Sequence, residues 1–195
     1  MKKDLSIFKK SCRNYLYERE LKYKFNVNAF EKEYTAYANG AEIFLSKEPI
    51  KEIEEGIDDF NIRYDVVRDK FVEIDTNNGK SFVENFLGKF STENHDNWCK
   101  FNVGKIDSYI SYLNERYEEN KKLYDTKSSM YASEPYCIDS EKNVWVNPML
   151  AKCAFEFVGD IEEVYLLNSV NPILFMNGDM DRIVVLLPVM RPRKQ

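Results

Sequence analysis

Residues 144–190 read VWVNPMLAKCAFEFVGDIEEVYLLNSVNPILFMNGDMDRIVVLLPVM. Val144 and Val146 alternate with Trp145, which is the period of a strand, and the chain then meets an Asn-Pro pair. Leu150, Cys153, Ala154, Phe157 and Val158 follow at the spacing that lines one side of a helix. Asn147 has the side chain of an N-cap, and Pro148 falls at the first helical position, where its missing N–H costs nothing. Gly159 is placed to stop the helix. Three apolar runs come next, Val164–Leu167, Ile173–Met176 and Ile183–Val189, separated by Asn-Ser-Val-Asn-Pro and by Asn-Gly-Asp-Met-Asp. The stretch therefore predicts a strand, a helix and an antiparallel three-stranded meander.

The pieces VNPMLAKCAFEFVGD, VYLLN, NPILFMNGD and IVVLLPVMR resemble the last half-domain of the bacterial sliding clamp, the ring-shaped beta subunit of DNA polymerase III. That half-domain runs strand, Asn-capped helix and three strands, and closes on a Met-Pro-Met-Arg-like ending. Here the ending is Leu-Pro-Val-Met-Arg, one residue longer. A second, weaker likeness lies in TAYANGAEIFL, where Ala38, Asn39, Gly40 and Leu45 match the strand pair in the first half of a clamp domain. The resemblance implies an α+β, DNA-clamp-like fold with antiparallel sheets and helices packed on one face. It divides the chain into a first half-unit at 1–48, an insertion or additional half-unit at 49–140, and a C-terminal half-unit at 141–195.

Upstream, Leu5, Phe8, Cys12, Tyr15 and Leu16 recur at helical spacing, so a helix is expected over residues 4–17 with Asp4 at its positive end. At 100° per residue, Lys2, Lys9, Lys10 and Arg13 gather away from that stripe, with Lys3 close by. Strands are expected at Tyr23–Val27 and across Tyr34–Leu45, the latter broken by Asn39-Gly40. Glu48–Asp59 is acidic, carries Pro49 and Gly56, and reads as a connection or a short irregular helix. A hairpin is expected between Lys70–Ile74 and Ser81–Phe86 around Asn78-Gly79, followed by a polar loop over 88–97. Trp98–Phe101 reads as a short strand and Asn102 as a cap. Ile106, Ile110, Leu113 and Tyr117 then line a helix running toward Lys122, a faint repeat of the C-terminal pattern. Met130–Ser133 and Pro135–Ile138 read as a strand pair.

Composition narrows the function. The chain has 195 residues, 44% hydrophobic and 14% aromatic, enough for one sizeable core or two small ones. No apolar run has the roughly 18 residues of a membrane span, and MKKDLSIFKKSC lacks a signal-peptide apolar block, so a cytoplasmic protein is expected. The net charge of −5 argues against a uniformly basic nucleic-acid binder, yet a protein that holds DNA needs cations only on the contacting wall. Cys12, Cys99, Cys137 and Cys153 are scattered and His95 is the only histidine, so no zinc or other metal site is expected. Asp75, Asn77 and Gly79 have the wrong offsets for a calcium loop, and Asp179 and Asp181 read as parts of a hairpin turn. No phosphate-loop glycine pattern and no nucleophile with an assignable base is present, so a catalytic role ranks last and no cofactor is expected.

The function expected on this reading is a processivity or tethering factor without catalysis. Lys2, Lys3, Lys9, Lys10 and Arg13 would meet duplex DNA phosphates independently of base sequence, and the chain would assemble into a homo-oligomer. Following the resemblance, Pro188, Val189 and Met190 would border a groove for docking replication proteins. The alternative is a protein-interaction module that keeps the clamp fold and does not encircle DNA, for example a plasmid or phage replication accessory. The acidic balance favours it.

Overall fold

A computed structural model describes residues 3–15, 22–65, 67–92, 99–100, 106–127 and 135–189. The C-terminal stretch folds in the order its sequence predicts, with the last strand ending at Leu186 instead of running to Val189. β8 (Val144–Val146) leads into α5 (Pro148–Val158), and Asn147 Oδ1 accepts from the amides of Met149 at 2.9 Å and Leu150 at 3.4 Å. Gly159 ends the helix at φ +77°, a conformation that disfavours a Cβ, and donates its N–H to the Phe155 carbonyl. β9 (Ile161–Leu166), β10 (Ile173–Asn177) and β11 (Arg182–Leu186) then form the antiparallel meander.

The first half follows the same plan. α1 (Lys3–Tyr15) is followed by β1 (Tyr23–Ala29), β2 (Lys32–Ala38) and β3 (Glu42–Ser46), all antiparallel neighbours. The third strands of the two halves pair, with Phe44 opposite Val184, and β6 (Cys99–Lys100) closes the far edge. One seven-stranded sheet results, in the order β1-β2-β3-β11-β10-β9-β6. α1 lies against α5 on one of its faces.

Alternation along these strands feeds two cores. Tyr37, Phe44, Phe175, Val184 and Leu186 point to the side of α1 and α5, together with Ile53 of the short helix α2 (Lys51–Gly56). Tyr34, Leu45, Leu174, Ile183 and Val185 point to the other side, where Val83, Leu87 and Phe90 of α3 (Asn77–Thr92) cover them. The expected placement of helices on one face is therefore corrected, because α3 covers the second. The reason is visible in Ile183-Val184-Val185-Leu186, buried at every position, as strands covered on both faces are.

α3 also replaces the expected strand at Ser81–Phe86 and the first part of the expected loop, residues 88–92. Val83, Leu87 and Phe90 are spaced four and three apart and are buried, a helical period. Asn78-Gly79 lies in the first turn, where the Asp75 carboxylate accepts from the Asn77 amide at 2.9 Å. The hairpin lies earlier, in β4 (Ile62–Asp65) and β5 (Lys70–Glu73). β7 (Tyr136–Asp139) pairs with β8, since the turn at 140–143 brings Val146 opposite Tyr136. Met130–Ser133, His95 and Asn102 lie outside the described residues.

α4 (Ile106–Lys127) packs on α5, with Leu113 buried and Ile110 against the same core. α2 is held to the sheet by Tyr37, whose hydroxyl accepts from the Ile50 amide at 2.8 Å and donates to Glu54 at 3.0 Å. Gly56 sits so near α1 that a Cβ there would run into Leu5. Among the described residues no helix is long and apolar enough to cross a membrane.

Candidate functional site

The inner side of α1 is set by Ile7, Phe8, Ser11 and Cys12, all buried. Asp4 also turns inward, where its carboxylate forms two 2.9 Å bonds with the Arg182 guanidinium. Arg182 donates further to the Phe157 carbonyl at 2.9 Å and lies over the Phe157 ring, so one side chain fastens α1, α5 and β11 together. Two parallel charge-assisted bonds fix orientation as well as attraction. The consequence for the surface is that the acidic residue of this first turn is withdrawn from it.

The outer arc of α1 keeps the lysines. Lys3 is exposed, and Lys9 and Lys10 are half-buried. Lys10 reaches Glu156 of α5 at 3.7 Å, and Lys152 approaches the same carboxylate at 3.8 Å. Lys9 lines a depression shared with Cys12, Lys22, Asp58 and Asp59. Arg13 is carried by the last part of α1, and Lys2 lies outside the described residues. α5 presents much less: Pro148, Met149, Leu150, Ala151, Cys153, Ala154, Phe157 and Val158 are buried, which leaves Lys152, Phe155 and Glu156 half-buried. The basic surface of the helix pair therefore belongs to α1.

The end of β11 sits at a cleft. Leu187, whose amide donates to the Ala41 carbonyl at 2.9 Å, joins Tyr23, Phe25, Ile43 and Phe82 in lining an apolar depression of about 380 Å³. Asp75 is the only charged residue in its wall among the described residues. Pro188 and Val189 are half-buried just beyond it, and the Val189 amide donates to the Trp145 carbonyl at 2.8 Å, which turns the chain toward β8. Met190 lies outside the described residues.

A polar cluster lies beneath α1 that sequence reading missed. Glu42 of β3 is fully buried; its Oε2 accepts from the Ser11 hydroxyl, and Ser11 in turn accepts from the Asn39 amide. Glu42 Oε1 has no partner among the described residues. Burial pushes the Glu42 carboxyl well above its ordinary range, and the Ser11 bond opposes this only in part. The only hint in the sequence is a Glu inside an apolar strand, Glu42-Ile43-Phe44-Leu45. Burial, with Glu42 nearby, likewise pushes the Cys153 thiol up, which suits a cysteine that serves as a small apolar side chain. Cys12 is buried too. Among the described residues no three His, Cys, Asp or Glu side chains come together as a metal site.

No protein-family model, no curated protein and no solved structure matches the chain.

Proposed function

We propose that the protein is a non-catalytic, clamp-like tethering factor that holds duplex DNA without reading its sequence and docks other replication proteins. The observation that carries this reading is the paired helices α1 and α5, lying over a sheet whose two halves each run helix, strand, strand, strand. The outer arc of α1, with Asp4 drawn inward, supplies Lys3, Lys9 and Lys10 to phosphates, and Lys2 and Arg13 extend the set. Binding to duplex DNA then falls with salt at a log–log slope of about −4 to −5 per chain, from about −0.9 per neutralised phosphate. Replacing Lys9, Lys10 and Arg13 together by Ala lowers the magnitude of that slope by roughly 3. Identical salt titrations for parent and variant would sink the DNA contact.

The second reading is an interaction module that keeps the duplicated fold and does not hold DNA. It is favoured by α5, whose charged surface is the self-compensating pair Lys152 and Glu156 and whose flank is covered by α4. On this reading the cleft at Leu187 is the working surface, and the solution mass is unchanged by added duplex.

A further inference from the structure

Among the described residues, large apolar side chains are scarce on the surface, and they are not scattered. Ile62, Tyr64, Val67, Phe71, Phe82, Val170 and Leu187 are the exposed ones among the described residues, and six of these seven fall in two places. Four are on the β4–β5 hairpin, where Val67 at the turn is 96% exposed and Phe71 is 73% exposed. Phe82 and Leu187 are on the wall of the apolar cleft.

The hairpin is the convex partner. Ile62, Tyr64 and Phe71 share one of its faces, because Tyr64 is directly opposite Phe71 and their rings meet edge to face at 5.4 Å. Among the described residues, neither core draws on 62–65 or 67–73. A lone two-stranded hairpin is marginal in water, and a turn is ordinarily built from Gly, Asn, Asp or Pro; here it carries a solvent-facing valine. The acids of this turn are engaged locally. Asp65 accepts from the Val67 and Arg68 amides, and Asp69 accepts from the Tyr64 hydroxyl.

The hairpin cannot fill its own cleft. Ile74 and Asp75 follow β5 directly and line the wall, so the turn stands four paired residues, or about 13 Å, away from it at about 3.3 Å per residue. A second molecule has no such restraint. We propose that the β4–β5 hairpin of one copy seats Val67 and Phe71 in the cleft of the next, between Phe25, Phe82 and Leu187. Exposed Arg68 beside Val67, now 3.8 Å from Asp65 of its own hairpin, then turns to Asp75, the one charge of the cleft wall among the described residues. The contact joins two different surfaces, so it is head-to-tail and continues from copy to copy until a rotation closes it. It rests on the docking reading of the cleft and names the occupant; the α1 contact with DNA is independent of it.

The test is sedimentation velocity of the full chain from about 1 to about 200 µM, the range suited to a contact at the small end of interface sizes. The parent is expected to associate with rising concentration. Val67→Glu/Phe71→Glu, which spoils the hairpin, and Phe82→Glu/Leu187→Glu, which spoils the cleft, are each expected to sediment as monomers. Mixed together they form a one-to-one dimer that grows no further, because one intact hairpin still meets one intact cleft. Melting curves that match the parent's show that both variants are folded. A parent that stays monomeric throughout, or a mixture that stays as two monomers, overturns the proposal. The salt titration on DNA reads the tethering function separately, so either can fail alone.

Discussion

The two halves of the sheet share one plan and use their helices differently. α5 is buried along eight of its eleven residues, enclosed by the sheet, α1 and α4. α1 buries one side and turns an arc of lysines outward. Repetition of a topology thus fixes where a helix lies without fixing what it shows to solvent. The middle of the chain makes the difference, since its α4 covers α5 and nothing equivalent among the described elements covers α1's outer arc.

The largest test of this pairing is Phe44→Ala. The Phe44 ring lies 5.8 Å from that of Phe8 on α1 and 4.9 Å from that of Phe157 on α5, so truncation opens a cavity between the halves. A cost of about 3–5 kcal/mol is expected in urea unfolding, with circular dichroism and tryptophan fluorescence falling together. Two separated transitions would mean that the halves are independent. Arg182→Ala should cost less, about 1–2 kcal/mol after allowing for solvent at an arginine side chain that is 34% exposed. Hydrogen exchange localises the effect: α1 amides should exchange faster while α5 amides keep their protection. Equal loss in both helices would show that Arg182 does not act as the fastener of α1.

The third test is Glu42→Gln. The folded-state pKa of Glu42 is raised above 4.5, so its native protonation favours the folded state most at low pH. That contribution is lost as pH rises from about 4.5 toward the folded value, at up to about 1.4 kcal/mol per pH unit. The variant carries a neutral amide throughout, so its stability advantage over the parent should widen from pH 5 to pH 8 in parallel unfolding curves. Parallel pH dependence in the two proteins would show that the carboxyl ionises freely.

Most of the C-terminal half was legible because its signals are local. Asn147-Pro148 caps, Gly159 stops, and the apolar runs are separated by turn residues. α3 was not, because Asn78-Gly79 carries the same local signal whether it turns a hairpin or opens a helix. Only the sheet face that Val83, Leu87 and Phe90 cover decides between them. The lysines of α1 could be read from spacing alone, but the inward turn of Asp4 could not, since its partner Arg182 is at the other end of the sequence. Glu42 was equally hidden, as were the hairpin and cleft, whose exposed side chains look like any others until neighbouring strands are in place.

The pairing of β3 with β11 has a consequence during synthesis. Ser46 meets Arg182, so the first half leaves the ribosome long before its neighbour exists. At about 5–20 residues per second the delay is on the order of ten seconds. For that time Ile43, Phe44 and Leu45 form an open edge that is apolar on both sides, the kind of template on which nascent chains aggregate. Such long-range closure also slows refolding of the finished chain, since loop entropy must be overcome before the central strands reward it.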